Sequence, residues 1–216
     1  MIDQAIRARL SPGLNRAAGC LSSRGLSPGS LTALGLLAGI GACLSAAESS
    51  WDLGLGLWLL NRVLDGLDGA LARRRGATEL GGLLDFVADF VVYSGFIVAV
   101  AIAHPGARLA CVVLLAAYLV NNVALLSFSS VIERLDLRLG DERSLRLTTG
   151  LAEGAETILV YVLFCLLPRA AAPIAWSFAG VVALTAIQRV AQAAWILSDP
   201  PEPGAHARSR SRHSDA

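Results

Sequence analysis

The sequence predicts an all-α integral membrane protein, with six transmembrane helices plus an N-terminal interfacial amphipathic helix. Three observations carry this. Of the 216 residues, 55% are hydrophobic and only 16% charged, where a soluble domain carries about 25% charged residues. A bilayer-spanning helix needs about 20 mostly apolar residues, and six candidate stretches run near 30–48, 51–72, 83–104, 107–130, 151–168 and 173–197. The arginines then sort the connections into two sides.

Arg7, Arg9, Arg16 and Arg24 precede the first span. Arg73, Arg74 and Arg75 lie in a polar loop at 73–82, and Arg134, Arg138, Arg143 and Arg146 in or beside a second at 131–150. Arg208, Arg210 and Arg212 lie in the tail, whereas the opposite side holds only Arg108 and Arg169. The positive-inside rule therefore puts both termini and both long loops in the cytoplasm, and an even number of spans agrees. The expected location is a bacterial inner membrane.

Three segments follow. Residues 1–29 form the N-terminal interfacial cytoplasmic segment, with apolar residues at Ile2, Ile6, Leu10, Leu14, Ala17, Ala18 and Leu21 near helical spacing. Pro12 predicts a break or restart within it, and Ser27-Pro28-Gly29-Ser30 punctuates the start of the first span. The interrupted apolarity of the first 25 residues does not fit a cleavable signal peptide. Residues 30–197 form the six-span domain. Residues 198–216, rich in Pro, Ser and Arg, are expected to be a disordered cytoplasmic tail. Cys20, Cys43, Cys111 and Cys165 are widely spaced, without a CxxC pair, so a zinc site or disulfide framework is not expected.

The chemistry concentrates between Asp65 and Asp89. Asp65 and Asp68 are three apart near the end of the second span, and Gly69, Ala72 and Arg73 extend the same helical face. Gly81, Asp85 and Asp89 are each four apart along the start of the third. A short loop makes these helices antiparallel neighbours, so four carboxylates can converge. Each Asp at a membrane-helix centre costs about 2.5–3.5 kcal/mol on insertion scales, and less nearer the edge. Arg62 and Arg73 are the nearby cations, and two cations do not balance four anions. Hard oxygen ligands without His or Cys suit Mg²⁺ or Mn²⁺, and four carboxylates can hold two ions, an arrangement suited to phosphoryl transfer. Arg73 would pair with phosphate oxygens; a topology-setting charge is its alternative reading. Gly66, Gly69, Gly81 and Gly82 leave bare backbone for tight helix packing or for a pyrophosphate.

This stretch resembles the signature of the CDP-alcohol phosphatidyltransferase family, D-x-x-D-G-x-x-A-R, a spacer, then G-x-x-x-D-x-x-x-D. Asp65, Asp68, Gly69, Ala72, Arg73, Gly81, Asp85 and Asp89 fill every specified position. The spacer, Arg74 to Leu80, is one residue shorter than usual. The resemblance implies a phosphatidyltransferase that displaces CMP from a CDP-linked lipid, usually CDP-diacylglycerol, by attack of a small alcohol. It implies Asp65, Asp68, Asp85 and Asp89 as ligands of two Mg²⁺ or Mn²⁺ ions, and Asp89 also as general base. Gly69, Ala72, Arg73 and Gly81 would line the CDP site, with Thr32 and Asn61 as further nucleotide contacts or, alternatively, helix-packing residues. A homodimer is implied, and no nucleic-acid partner is expected.

The acceptor side rests on Arg143, Arg146, Glu153, Glu156 and Arg189. Arg143 and Arg146 would bind an anionic acceptor, or serve as inside-positive charges. Glu153 and Glu156 would form a polar acceptor pocket, or simply favour a helix N-terminus, with Thr149 as its cap. Arg189 is an intramembrane cation needing a partner, and Glu156 is one candidate. Glycerol 3-phosphate, inositol phosphate or another alcohol all fit. Outside the enzyme class, an ion-coupled membrane transporter is the alternative; it requires polar residues spread across the membrane depth.

Overall fold

The computed structural model describes residues 2–23, 25–134 and 154–198. Among them every regular element is helical: α1 (Ile2–Ser23), α2 (Pro28–Ala47), α3 (Trp51–Arg75), α4 (Glu79–Ala103), α5 (Arg108–Arg134), α6 (Gly154–Leu166) and α7 (Ala171–Ser198). Short 3₁₀ turns at Pro105–Ala107 and Pro168–Ala170 lead into α5 and α7.

Local chemistry sets the boundaries. The Ser27 side chain accepts the Ser30 amide at 3.2 Å, and Pro28 occupies the first turn of α2, where its missing N–H costs nothing. Thr78 caps α4 by accepting the Gly81 amide at 3.1 Å, with Glu79 favourably placed in the first turn. Two expectations are corrected. Arg73, Arg74 and Arg75 are not in a loop but form the last turn of α3, where cations suit the negative end of the helix dipole. The chain turns only at residues 76–78, opening on Gly76 at φ 95°, a conformation that a side chain disfavours. Nor does Pro12 break the N-terminal segment: α1 runs through it unbroken, although an interior proline removes a hydrogen bond and crowds the carbonyl four residues before it.

Among the described residues, four helices are long and apolar enough to cross a membrane: Pro28–Ala47, Glu79–Ala103, Pro105–Arg134 and Pro168–Ser198. Their exposed surfaces are rich in large apolar side chains, among them Leu37, Leu109, Val112, Ile187 and Trp195, which suits lipid and not water. With its family (below), this makes the chain an integral membrane protein. Length and apolarity thus single out four of the six expected spans among the described residues. At 25 residues α3 is long enough, but Asp52, Arg62, Asp65, Asp68 and its terminal arginines lower its hydropathy. The described part of α6 is 13 residues.

The chain divides into two compact units, Met1–Leu115 with Glu153–Ala179, and Ala116–Ala152 with Gly180–Ala216. In the first, α2 packs against both α3 and α4, and α3 also contacts α1 and α6. Small residues make this close. A Cβ at Gly39 on α2 would overlap the Val92 side chain of α4 and lie 3.1 Å from the Asn61 amide of α3. Aromatic rings fill the centre: Trp58, Phe96, Tyr161 and Phe164 are fully buried, and Trp58 stacks on Tyr161 at 4.6 Å. Helix α1 lies on α3 through Ala18, Leu14 and Leu21, packed with Leu31, Ala70 and Leu71. Arg75 secures its end, donating to the Ser22 carbonyl at 2.5 Å and hydroxyl at 3.2 Å. In the second unit, Arg189 donates to the buried Asn121 side chain at 3.0 Å.

Two stability outcomes follow. Gly39→Val is expected to destabilise by about 1–3 kcal/mol through overpacking, seen as a lower thermal midpoint in detergent, whereas Gly56→Ala, where a Cβ meets nothing within 4 Å, keeps or raises it. Arg75→Ala is expected to speed amide exchange around Ser22 without changing exchange in the Trp58–Tyr161 core.

Candidate active site

The facing parts of α3 and α4, nearest their short connection, carry the acidic residues. Asp65 and Asp68 stand three apart on α3, which runs unbroken to Arg75; Asp85 stands on α4, two turns from its cap. One carboxylate oxygen from each of Asp65, Asp68 and Asp85 lies within 4.8 Å of the other two. Asp68 is buried and the other two are half-buried.

Magnitudes decide what this arrangement can be. Two like charges 4.8 Å apart repel by about 3–4 kcal/mol at an effective dielectric constant of 20. Three such pairs rival the total stability of an ordinary domain, about 5–15 kcal/mol. Oxygens that share one octahedral Mg²⁺ stand about 3 Å apart as neighbours and about 4 Å apart across the ion, so three oxygens within 4.8 Å of one another are close enough to share one with small adjustment. The donor set is hard oxygen, with no thiol or imidazole in the cluster. The residues present therefore fit a divalent cation.

The expected site residues fall into place unevenly. Thr32, on α2, donates to Asp68 Oδ2 at 2.8 Å, bringing a third helix to the cluster. Gly69 lies one turn from Asp65, and a Cβ there would come 3.3 Å from Arg73 Nη1; the exposed Arg73 guanidinium folds back over this bare backbone. Ala72 is half-buried on the same helix, and Gly81 is exposed in the first turn of α4. Asn61 is buried, donates to the Gly35 carbonyl at 2.8 Å and accepts from Arg62 Nε at 2.8 Å. Both ends of its amide thus serve helix pairing and Arg62.

Asp89 stands beside the three-carboxylate cluster and makes a different contact. Its Oδ1 accepts from Arg62 Nη2 at 2.6 Å. Arg62 also reaches the Tyr93 hydroxyl at 2.6 Å and Asp65 at 3.5 Å, and lies about 5 Å over the Trp58 and Tyr93 rings, at 5.1 and 4.9 Å. Sequence reasoning named Arg62 only as a nearby counter-charge. Its partner could have been sought from the rule that an intramembrane cation needs an anion, but nothing in the spacing singles out Asp89 from Asp85. Tyr93 and Trp58 were missed altogether.

On the acceptor side, Glu156 lies in the first turn of α6, and its Oε2 is buried without a hydrogen-bond partner. Arg189 bonds Asn121, a partner not anticipated from sequence. Arg143, Arg146, Glu153 and Thr149 lie outside the described residues.

The chain is similar to several known proteins. The chain is 37% identical over 196 residues to Inner membrane protein YnjF of Escherichia coli (strain K12), covering 88% of this chain and 94% of that one. A shorter similarity, 34% over 68 residues, links it to phosphatidylcholine synthase of Borreliella burgdorferi, covering 29% of each chain. Two crystal structures of Mycobacterium tuberculosis phosphatidylinositol phosphate synthase (PgsA1) share its fold, one with CDP-DAG bound and one in complex with manganese and citrate. Each gives a TM-score of 0.65 at 22% identity, covering 83% of this chain and 92% and 88% of theirs. Residues 26–187 match the family described as CDP-alcohol phosphatidyltransferase. The chain belongs to the CDP-alcohol phosphatidyltransferase family and is a phosphatidyltransferase enzyme.

Proposed function

We propose that the protein transfers a phosphatidyl group from a CDP-linked lipid, CDP-diacylglycerol, to the hydroxyl of a small polar alcohol, releasing CMP, and that it does so with Mg²⁺ or Mn²⁺. The observation that carries this is the convergence of Asp65, Asp68 and Asp85 to within 4.8 Å, inside a chain of this family. The donor class accords with the PgsA1 structure that holds CDP-DAG, and the metal with the one that holds manganese. Family membership displaces the ion-coupled transporter as the alternative reading.

In this reading Asp65, Asp68 and Asp85 hold divalent cation, two ions in all with Asp89 completing the set. When bound, the cation supplies positive charge against the pyrophosphate oxygens and the departing CMP. Arg73, folded over Gly69, pairs with a phosphate oxygen, and Gly69, Ala72 and Gly81 let the nucleotide approach the backbone. Thr32, fixed to Asp68, orients that carboxylate and faces the nucleotide, while Asn61 supports the same face through α2. Asp89 takes the proton of the acceptor hydroxyl. The acceptor oxygen then bonds to the phosphorus that carries the lipid, the pyrophosphate P–O bond to CMP breaks, and CMP leaves with the electron pair.

Arg143, Arg146, Glu153, Glu156 and Arg189 remain the proposed contacts of the acceptor, and the buried, unpartnered Glu156 Oε2 supports a hydroxyl donor arriving there. The rest of the reading is a homodimer in a bacterial inner membrane with six spans, α1 at the interface, and both termini and the site facing the cytoplasm.

Full-length protein in detergent or nanodiscs is expected to release CMP from CDP-diacylglycerol with Mg²⁺ or Mn²⁺ when the right alcohol is supplied from a panel. EDTA should abolish release and added metal restore it. Asp65→Asn, Asp68→Asn and Asp85→Asn should each lose activity by at least about 10–100-fold. Metal-independent release, or no release with any alcohol, would overturn the reading.

A further inference from the structure

The α4 stripe presents two chemically identical carboxylates one turn apart, Asp85 and Asp89, and the structure treats them differently. Asp85 joins Asp65 and Asp68. Asp89 is bound by Arg62. The side chain of Arg62 is only 8% exposed and is held by groups of α3 and α4 that are themselves braced by α2 and α6. On α3, Asn61 accepts its Nε at 2.8 Å, and Asn61 is itself tied to the Gly35 carbonyl of α2 at 2.8 Å. On α4, the Tyr93 hydroxyl accepts Nη1 at 2.6 Å. The Tyr93 carbonyl in turn accepts the Tyr161 hydroxyl of α6 at 2.8 Å, and Tyr161 stacks on Trp58 beneath the guanidinium.

Neutralising a buried carboxylate needs one cation and one good contact. Here the guanidinium is held in plane and in direction by groups that carry no charge of their own. Such a setting fixes where its remaining N–H bonds point. Those bonds go to Asp89 and, more loosely at 3.5 Å, to Asp65. Arg62 therefore ties a member of the metal-fitting cluster and the neighbouring carboxylate to one rigid fork.

We propose that Arg62 is the positioning residue for the acid–base half of the site: it holds Asp89 through Oδ1 so that Oδ2 is presented to the acceptor hydroxyl from one fixed place. This rests on the reading of Asp89 as the general base. Arg62 acts through Asp89 and touches neither the donor nor the acceptor. An oriented general base raises the rate of the step it serves and leaves donor binding alone.

The test is a double-mutant cycle on CMP release by the full-length protein in nanodiscs, with kcat and donor KM measured separately. Arg62→Gln is expected to lower kcat by about 10–100-fold, the range for a residue that orients an active group, at unchanged donor KM. Arg62→Lys should recover part of that loss, since an ammonium keeps the Asp89 contact but not the fork. The double variant Arg62→Gln/Asp89→Asn should be no slower than Asp89→Asn alone, because a positioning residue has nothing left to position. The double variant also leaves no charge of the pair unmatched, so it remains informative if Arg62→Gln folds poorly. Tyr93→Phe keeps every charge and is expected to lower kcat severalfold. Losses that multiply in the double variant, a loss confined to donor KM, or wild-type kcat in Arg62→Gln or Tyr93→Phe would each overturn the proposal while leaving the base in place. Full activity in Asp89→Asn would instead remove the base itself, and the proposal with it.

Discussion

Carboxylates gathered inside a membrane helix bundle repel one another and forgo hydration, and most features around Asp65, Asp68 and Asp85 answer that constraint. Within 4.8 Å their mutual repulsion is comparable to the stability of a whole domain. Two kinds of compensation are visible. Thr32 donates a hydrogen bond to Asp68. Arg62 brings one positive charge, shared between Asp89 and Asp65. The rest of the negative charge is not balanced by these groups, and the three oxygens are placed so that a divalent cation would fit them. A network that balanced itself would have no need of a cation and no affinity for one.

The helix packing is shaped by the same demand. To bring Thr32 of α2 within 2.8 Å of Asp68 on α3, the two helices must approach closely, and Gly35 and Gly39 provide the clearance. Gly39 sits where even a methyl group would strike Val92. Bundles in lipid gain little from hydrophobic exclusion between helices and rely on such close backbone contact and on buried polar bonds. Asn61 illustrates both, reaching across to the Gly35 carbonyl while steadying Arg62. The residues that hold the helices together are thus partly those that aim the charged groups.

This also explains what was legible in the sequence. The positions Asp65, Asp68, Asp85 and Gly69 follow from helical spacing, because i, i+3 and i+4 neighbours share a face whatever the tertiary structure. Thr32 was a weaker inference that the geometry carried to Asp68. Boundaries were less legible: Arg73, Arg74 and Arg75 look like loop residues by polarity, yet a helix C-terminus welcomes them, and only Gly76 marks the turn. A count of spans by apolarity passes over α3, 25 residues long, because Asp52, Arg62, Asp65, Asp68 and its terminal arginines lower its hydropathy. The pairing of Arg62 with Asp89 was beyond spacing alone, since Asp85 and Asp89 lie on the same stripe. Which of them meets Arg62 depends on the vertical register of α3 against α4, and that register is set by side-chain packing, not by period.

The register itself has a physical origin in the aromatic cluster. Trp58 lies one turn before Arg62 on α3, and Tyr93 one turn after Asp89 on α4. The two rings flank the guanidinium at 5.1 and 4.9 Å, while Tyr161 locks both, stacking on Trp58 and bonding the Tyr93 backbone. Sliding α4 by one turn toward Asp85 would take Tyr93 away from Arg62 and break the Tyr161 bond as well. The cost falls on the fully buried Tyr161 and on Arg62, only 8% exposed, where water poorly replaces the lost bonds. An apolar core on one side of Arg62 therefore determines which carboxylate it binds on the other. The different contacts of Asp85, beside Asp65 and Asp68, and of Asp89, on Arg62, are thus a consequence of packing, and exchanging them would require repacking the centre of the bundle.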